Sequence, residues 1–161
     1  MGSKSQHSPA ILEGEFAHLP WLQGLPDPTT TAVWGTWVEV NPETAASLGL
    51  VEGDLVTVAS PTGEVEVPVY VYPGTQPDVV AMPLGQGHTA YGRWAKDRGV
   101  NPLAIVAPQT DAETGALAYE GTRVRLTKVG RHRRLAKFEG IVQPFKDEEL
   151  LPLVLGEGGD H

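Results

Sequence analysis

VEVNPETAASLGLVEGDLVTVASPTGEVEVPVYV, residues 38–71, decides how the rest of the chain folds. It follows a Trp- and Val-rich run from Val33, and residues 33–40 read as a strand. Asn41-Pro42-Glu43 then opens a helix: Asn is a good N-cap, Pro suits the first helical position, and Glu complements the positive end of the backbone dipoles. The helix is short, because Gly49 supplies the left-handed residue on which helices end. Glu52-Gly53-Asp54 makes a tight turn into a strand over 55–60. Pro61-Thr62-Gly63 is a hairpin turn. Glu64 to Val71 alternates strictly, which places Val65, Val67, Val69 and Val71 inward and Glu64, Glu66, Pro68 and Tyr70 outward. Pro68 cannot donate to a ladder, so this strand is expected at an edge or bulged.

Outward from that stretch, Tyr72-Pro73-Gly74 and Gln76-Pro77-Asp78 are turns, and Val79 to Met82 is a further strand. Pro83 stops it and opens Leu84-Gly85-Gln86-Gly87-His88. A polar, basic segment follows, with a short helical turn expected in 91–98, then Gly99-Val100-Asn101-Pro102-Leu103. Residues 103–107 read as a brief strand or turn, and 122–129 as the last alternating strand. Short strands every 8–12 residues with one capped helix point to a closed barrel rather than a parallel α/β sheet. Long loops without structure of their own are uncommon in compact domains unless they carry function. Closely spaced glycines let backbone N–H groups approach a ligand. The 85–103 segment is therefore the candidate binding region, against the plainer reading of a surface loop with turn glycines.

Composition narrows the chemistry. The 161 residues contain no cysteine, which excludes disulfides, thiolate nucleophiles, cysteine-held zinc and cysteine-ligated iron–sulfur clusters within this sequence. No apolar run approaches the roughly 20 residues of a membrane span, so direct membrane insertion is not expected. The net charge of −8 divides unevenly: residues 1–92 carry −9, residues 93–137 carry +6, and the remainder −5. Basic territory thus begins inside the loop, at Arg93, Lys96 and Arg98. An acidic domain lacks the broad basic face of a nucleic-acid binder, whereas a local cluster suits one or two phosphates. Arg131-His132-Arg133-Arg134 reads as a solvated, disordered stretch rather than a nucleic-acid site. The histidines are scattered without metal-ligand spacing, and Glu64 with Glu66 reads as a solvated strand face. No complete active site is expected here.

Three regions result: an extended arm over 1–32, whose Trp21 and Leu22 would be core if it docks on its own domain; a barrel over 33–129; and a basic-then-acidic tail over 130–161, in which 138–155 would pack as a terminal helix or dock elsewhere.

The order of these elements, from residue 38 through Pro-Gly, DVVAMPLGQGH, GVNPL and a last alternating strand, resembles one known module. It is similar to the C-terminal molybdopterin dinucleotide-binding domain of the dimethyl-sulfoxide-reductase-type molybdenum and tungsten oxidoreductases. The resemblance implies a mainly-β fold, a six-stranded double-psi β-barrel with one or two short helices and flexible terminal arms. It implies part of a molybdopterin guanine dinucleotide site. Gly85, Gln86, Gly87 and His88 would meet the cofactor through backbone N–H groups and the Gln86 and His88 side chains, and Asn101 would offer its amide to a purine-like ring. Arg93, with Lys96 or Arg98, would neutralise diphosphate, an inference from charge. Partners would be other domains or subunits of a larger oxidoreductase that holds the metal. The wording PVYVYPG and PLGQGHTAYGR is nearest to the iron–sulfur component of alternative complex III and polysulfide-reductase-like membrane complexes, which implies a membrane-associated parent and, as the alternative, a cofactor-free structural domain. Two positions depart from the family pattern: Ala104 stands where Thr is common, and Thr62 where Arg is common in the hairpin turn. A stand-alone barrel of the wider Gly-Asp-box group is a third reading.

Overall fold

The computed structural model describes residues 14–116 and 121–138, together with the backbone of a strand at 2–6. The described chain is mainly β. In order it runs β1 (Gly2–Gln6), α1 (Pro20–Gln23), β2 (Val38–Val40), α2 (Pro42–Ser47), β3 (Asp54–Ala59), β4 (Glu64–Val71), β5 (Val79–Pro83), α3 (Gly92–Ala95), a 3-10 turn (Pro102–Ile105) and β6 (Arg125–His132). The six strands hydrogen-bond in the order β1-β5-β2-β4-β3-β6, with β1 and β6 at the two ends.

β2 lies between two strands that are consecutive in the chain. It runs parallel to β4, with Val38 opposite Val69, and antiparallel to β5, with Val40 opposite Val80. The chain therefore leaves β4, passes over β2 and returns on its far side. β3 pairs antiparallel with both β4 and β6, and the β6 register shifts between Asp54 and Val56. β1 lies parallel to β5.

Local chemistry accounts for α2 as the sequence predicts. The Asn41 side chain accepts from Glu43 N–H at 2.9 Å, and its amide donates to the Thr75 carbonyl at 2.7 Å, tying the helix start to the β4–β5 connection. At the other end Gly49 N–H donates to Ala46 O and Leu50 N–H to Ala45 O, the two bonds of a Schellman stop. Below the helix lies the core, in which Val38, Val40, Val56, Val58, Val69 and Val80 are fully buried.

Four expectations need correction. The strand expected from Val33 begins only at Val38, because Trp34 adopts φ +58, outside any strand conformation. Pro68 and Tyr70 are buried rather than outward, and β4 is an inner strand. Tyr70 belongs to a second apolar cluster with Ala32 and Trp37, so the chain before β2 covers the β4 face that would otherwise meet water. Pro68 is tolerated because β2 pairs only from Val69 onward, leaving Pro68 just beyond that ladder. Trp21 is 66% exposed and is not core. Finally, the Arg131–Arg134 run is ordered onto the sheet: Arg131 and His132 end β6, Arg131 pairs with Glu66 at 2.7 Å, and Arg133 N–H donates to Gly53 O. The expected packing of residues 138–155 lies, apart from Phe138, outside the described residues.

The Gly-Asp turn before β3 is held by charge. Asp54 is buried, accepts Val51 N–H at 2.9 Å and pairs with Lys128 Nζ at 2.7 Å. The Lys128 ammonium also donates to Gly49 O. Asp54 is held below the usual carboxylate range, first by the Lys128 hydrogen bond and then by the Val51 N–H.

Candidate functional site

Pro83 ends β5, and the chain turns into the Gly85–His88 loop, which is laid beside residues 96–101. Gly87 N–H donates to Arg98 O at 2.8 Å, and Asp97 N–H donates to His88 O at 2.9 Å. Gly87 has φ +88, and a Cβ there would collide with the Asn101 and Val100 backbone, so only glycine lets the two segments lie this close. Thr36 fixes the second segment from the other side. Its hydroxyl donates to Val100 O at 3.0 Å and accepts Val100 N–H at 3.1 Å. The loop and Asn101, separated in sequence, thus form one rim.

Asn101 is exposed and caps the 3-10 turn: its Oδ1 accepts Leu103 N–H at 3.0 Å. The carbonyl half of the amide is used locally, and among the described residues no partner takes up the two N–H donors of Nδ2. His88 Nε2 lies 3.2 Å from Gly85 O. A carbonyl only accepts, so this bond places the ring proton on Nε2 and leaves Nδ1 of the neutral ring as an acceptor.

Gln86 is 7% exposed and turned inward. Its Nε2 donates to Gln23 Oε1 at 2.7 Å, and Gln23 Nε2 donates back to Gln86 Oε1 at 3.3 Å and to Ala17 O at 2.8 Å. Sequence reasoning missed Gln23, and no local pattern marks it, because its partner is 63 residues away.

Arg93 and Arg98 are exposed and have no carboxylate partner among the described residues. Each lies over an indole: Arg93 is 4.5 Å from the Trp94 ring and Arg98 is 5.6 Å from the Trp34 ring. The two indoles are 6.0 Å apart. The basic charges flanking the rim are therefore positioned on aromatic faces rather than neutralised. The two departures noted above fall together beside this rim, since a Cβ on Gly63, next to Thr62, would lie 2.7 Å from Ala104 O. Among the described residues no group of three or more His, Asp or Glu side chains is arranged to hold a metal ion, and no helix is long and apolar enough to cross a membrane.

Residues 23–123, which contain α1's last residue, β2 through β5 and the whole rim, match the family model described as the molydopterin dinucleotide binding domain. The chain belongs to that family. This molydopterin dinucleotide binding domain is 41% identical over 92 residues to the molybdopterin-binding-like subunit of menaquinone reductase from Nitratidesulfovibrio vulgaris, covering 57% of this chain and 13% of that protein. It is 35% identical over 125 residues to ArrA, the molybdopterin-containing subunit of arsenate respiratory reductase, from Shewanella sp., covering 73% of this chain and 15% of that protein. A 100-residue match at 40% identity to the ArrA of Chrysiogenes arsenatis covers 56% of this chain and 12% of that protein. The binding domain thus spans only 12% to 15% of the length of these relatives.

The donor set fits such a cofactor in kind. An anionic, hydrogen-bonding dinucleotide calls for N–H donors and uncompensated cations; the rim offers the Asn101 amide and Arg93 with Arg98, whereas the Gly87 N–H is already taken by Arg98 O.

Proposed function

We propose that this chain positions part of a molybdopterin guanine dinucleotide within a larger molybdopterin oxidoreductase, through the Gly85–His88 loop and Asn101. The observation that carries the reading is the side-by-side packing of Gly87 on Val100 and Asn101, which gathers the loop backbone, the Asn101 Nδ2 donors and the basic segment on one rim. Arg93 and Arg98 attract the diphosphate; Arg supplies a fixed fork of donors that matches phosphate oxygens. His88 accepts a heterocycle N–H at Nδ1. Gln86 acts from behind, holding the loop against Gln23. When bound, the cofactor supplies the redox chemistry, and the residues here bind and orient it. Its metal is held by other domains or subunits.

The fold proposed for this role is the double-psi barrel expected over residues 33–129, to which β1 of the preceding arm adds beside β5 and whose last strand runs on to His132. Support comes from β2 inserted between consecutive β4 and β5, and from β6 folding back along β3.

The test separates binding from folding at Asn101. Asn101→Asp keeps the oxygen that caps Leu103 N–H, removes both Nδ2 donors and adds a negative charge. In calorimetric titration with the isolated cofactor it is expected to lose binding by at least tenfold, with a melting temperature near the parent's. Asn101→Ala loses the same binding and also the cap. Undiminished affinity in Asn101→Asp overturns the assignment.

A further inference from the structure

β6 ends the sheet: β3 lies on one side of it, and among the described residues no strand lies on the other. Such an edge presents a row of unpaired N–H and C=O groups on which a further strand can form. The side chains of β6 divide between two faces. Leu126 sits opposite Val58 and packs, half-buried, against the core. Arg125 sits opposite Ala59 and is exposed, as is Arg123 two residues earlier. Both arginines line a groove of about 410 Å³ whose other side is the hairpin corner, Ala59, Ser60 and Pro61.

The other cations of this strand are matched. Lys128 pairs with Asp54 and Arg131 with Glu66, each at 2.7 Å. Arg123 and Arg125 have no carboxylate partner among the described residues, in a chain whose net charge is −8. Ala59 offers only a methyl group opposite Arg125. An unpaired backbone edge and an unmatched pair of guanidinium groups therefore meet at one end of the sheet.

We infer that β6 takes an added strand from an acidic, extended peptide segment, with carboxylates at alternate positions on Arg123 and Arg125 and an apolar residue between them beside Leu126. Alternate residues of an extended chain share a face about 7 Å apart, so one acidic-apolar-acidic run serves both arginines and the apolar edge. Main-chain hydrogen bonds along β6 supply the affinity, and the alternating side chains supply the selectivity, as in strand addition generally. Each guanidinium group offers a carboxylate two parallel donors. A second copy of this chain does not suit the edge, because β6 against β6 brings Arg and Lys side chains among like charges.

The experiment titrates the full chain with a labelled peptide alternating Glu and Val, matched to the eight residues of β6. Saturable binding is expected, weakening as salt is raised, with new amide protection over 125–132 in hydrogen exchange. The double variant Arg123→Glu/Arg125→Glu, at two exposed positions, is expected to bind about tenfold more weakly at an unchanged melting temperature. A peptide of the same composition with all its Glu before all its Val is expected to bind poorly, because alternation is lost. Equal binding of that peptide shows charge attraction without strand addition and overturns the inference. So does unchanged affinity in the double variant, absence of binding, or equally tight binding of an oligothymidylate of similar charge.

Discussion

Gly53 and Asp54 show how one turn serves both backbone and charge. Gly53 has φ +86, its N–H donates to Val69 O and its carbonyl accepts from Arg133, so the residue ties β4 to the end of β6. Gly53→Val meets a left-handed φ with a β-branched side chain and crowds the His132 ring. A loss of about 1–3 kcal/mol is expected in chemical denaturation, and a variant as stable as the parent would refute the turn's role. At Asp54 the sign follows from the lowered carboxyl pKa: the charged form is favoured by the fold, so its contribution is present above the ordinary value of about 3.9 and is lost as pH falls toward the folded value. Asp54→Asn is therefore expected to be less stable than the parent at pH 7, with the gap closing in thermal melts taken below about pH 4. A gap independent of pH would mean that Lys128 contributes nothing through charge.

At the scale of elements, what is legible in the sequence follows from local rules, and what is not depends on distant neighbours. Asn41-Pro42-Glu43 and Gly49 announce α2 because cap, first turn and stop are set within a few residues. The glycine loop after β5 is legible for the same reason. Tyr70 escapes the alternation rule because alternation reports which residues share a face, and cannot report that Ala32 and Trp37 cover the second face. The same holds for Trp34, whose β propensity is overridden at φ +58, where its N–H donates to the distant Gln23 O. β4, like β5, β2 and β3, has neighbours on both sides, so its buried residues are held by packing on each flank. Val69→Ala, at a fully buried position between β2 and β3, is expected to cost about 2 kcal/mol by leaving a cavity. Val65→Ala, only half-buried, is expected to cost less in the same denaturation series.

For the whole molecule, the family membership points to a cofactor-binding role, proposed above to sit on the packed rim, and the chain spans only 12% to 15% of the length of the menaquinone reductase and ArrA relatives. Sequence alone marks the rim's front, Gly85, Gly87, His88, Asn101 and Arg93. The rear, Thr36 and Gln23, comes into view only through contacts spanning more than 60 residues. The division has a physical reason: glycine spacing and charge are written locally, whereas the bonds that stiffen a loop from behind obey only the fold. Hydrogen–deuterium exchange of the chain with and without molybdopterin guanine dinucleotide tests the central claim most directly. Protection concentrated in residues 85–101, with β3 and β6 unchanged, is the result expected. Protection absent from 85–101, or confined to another face of the sheet, would contradict it.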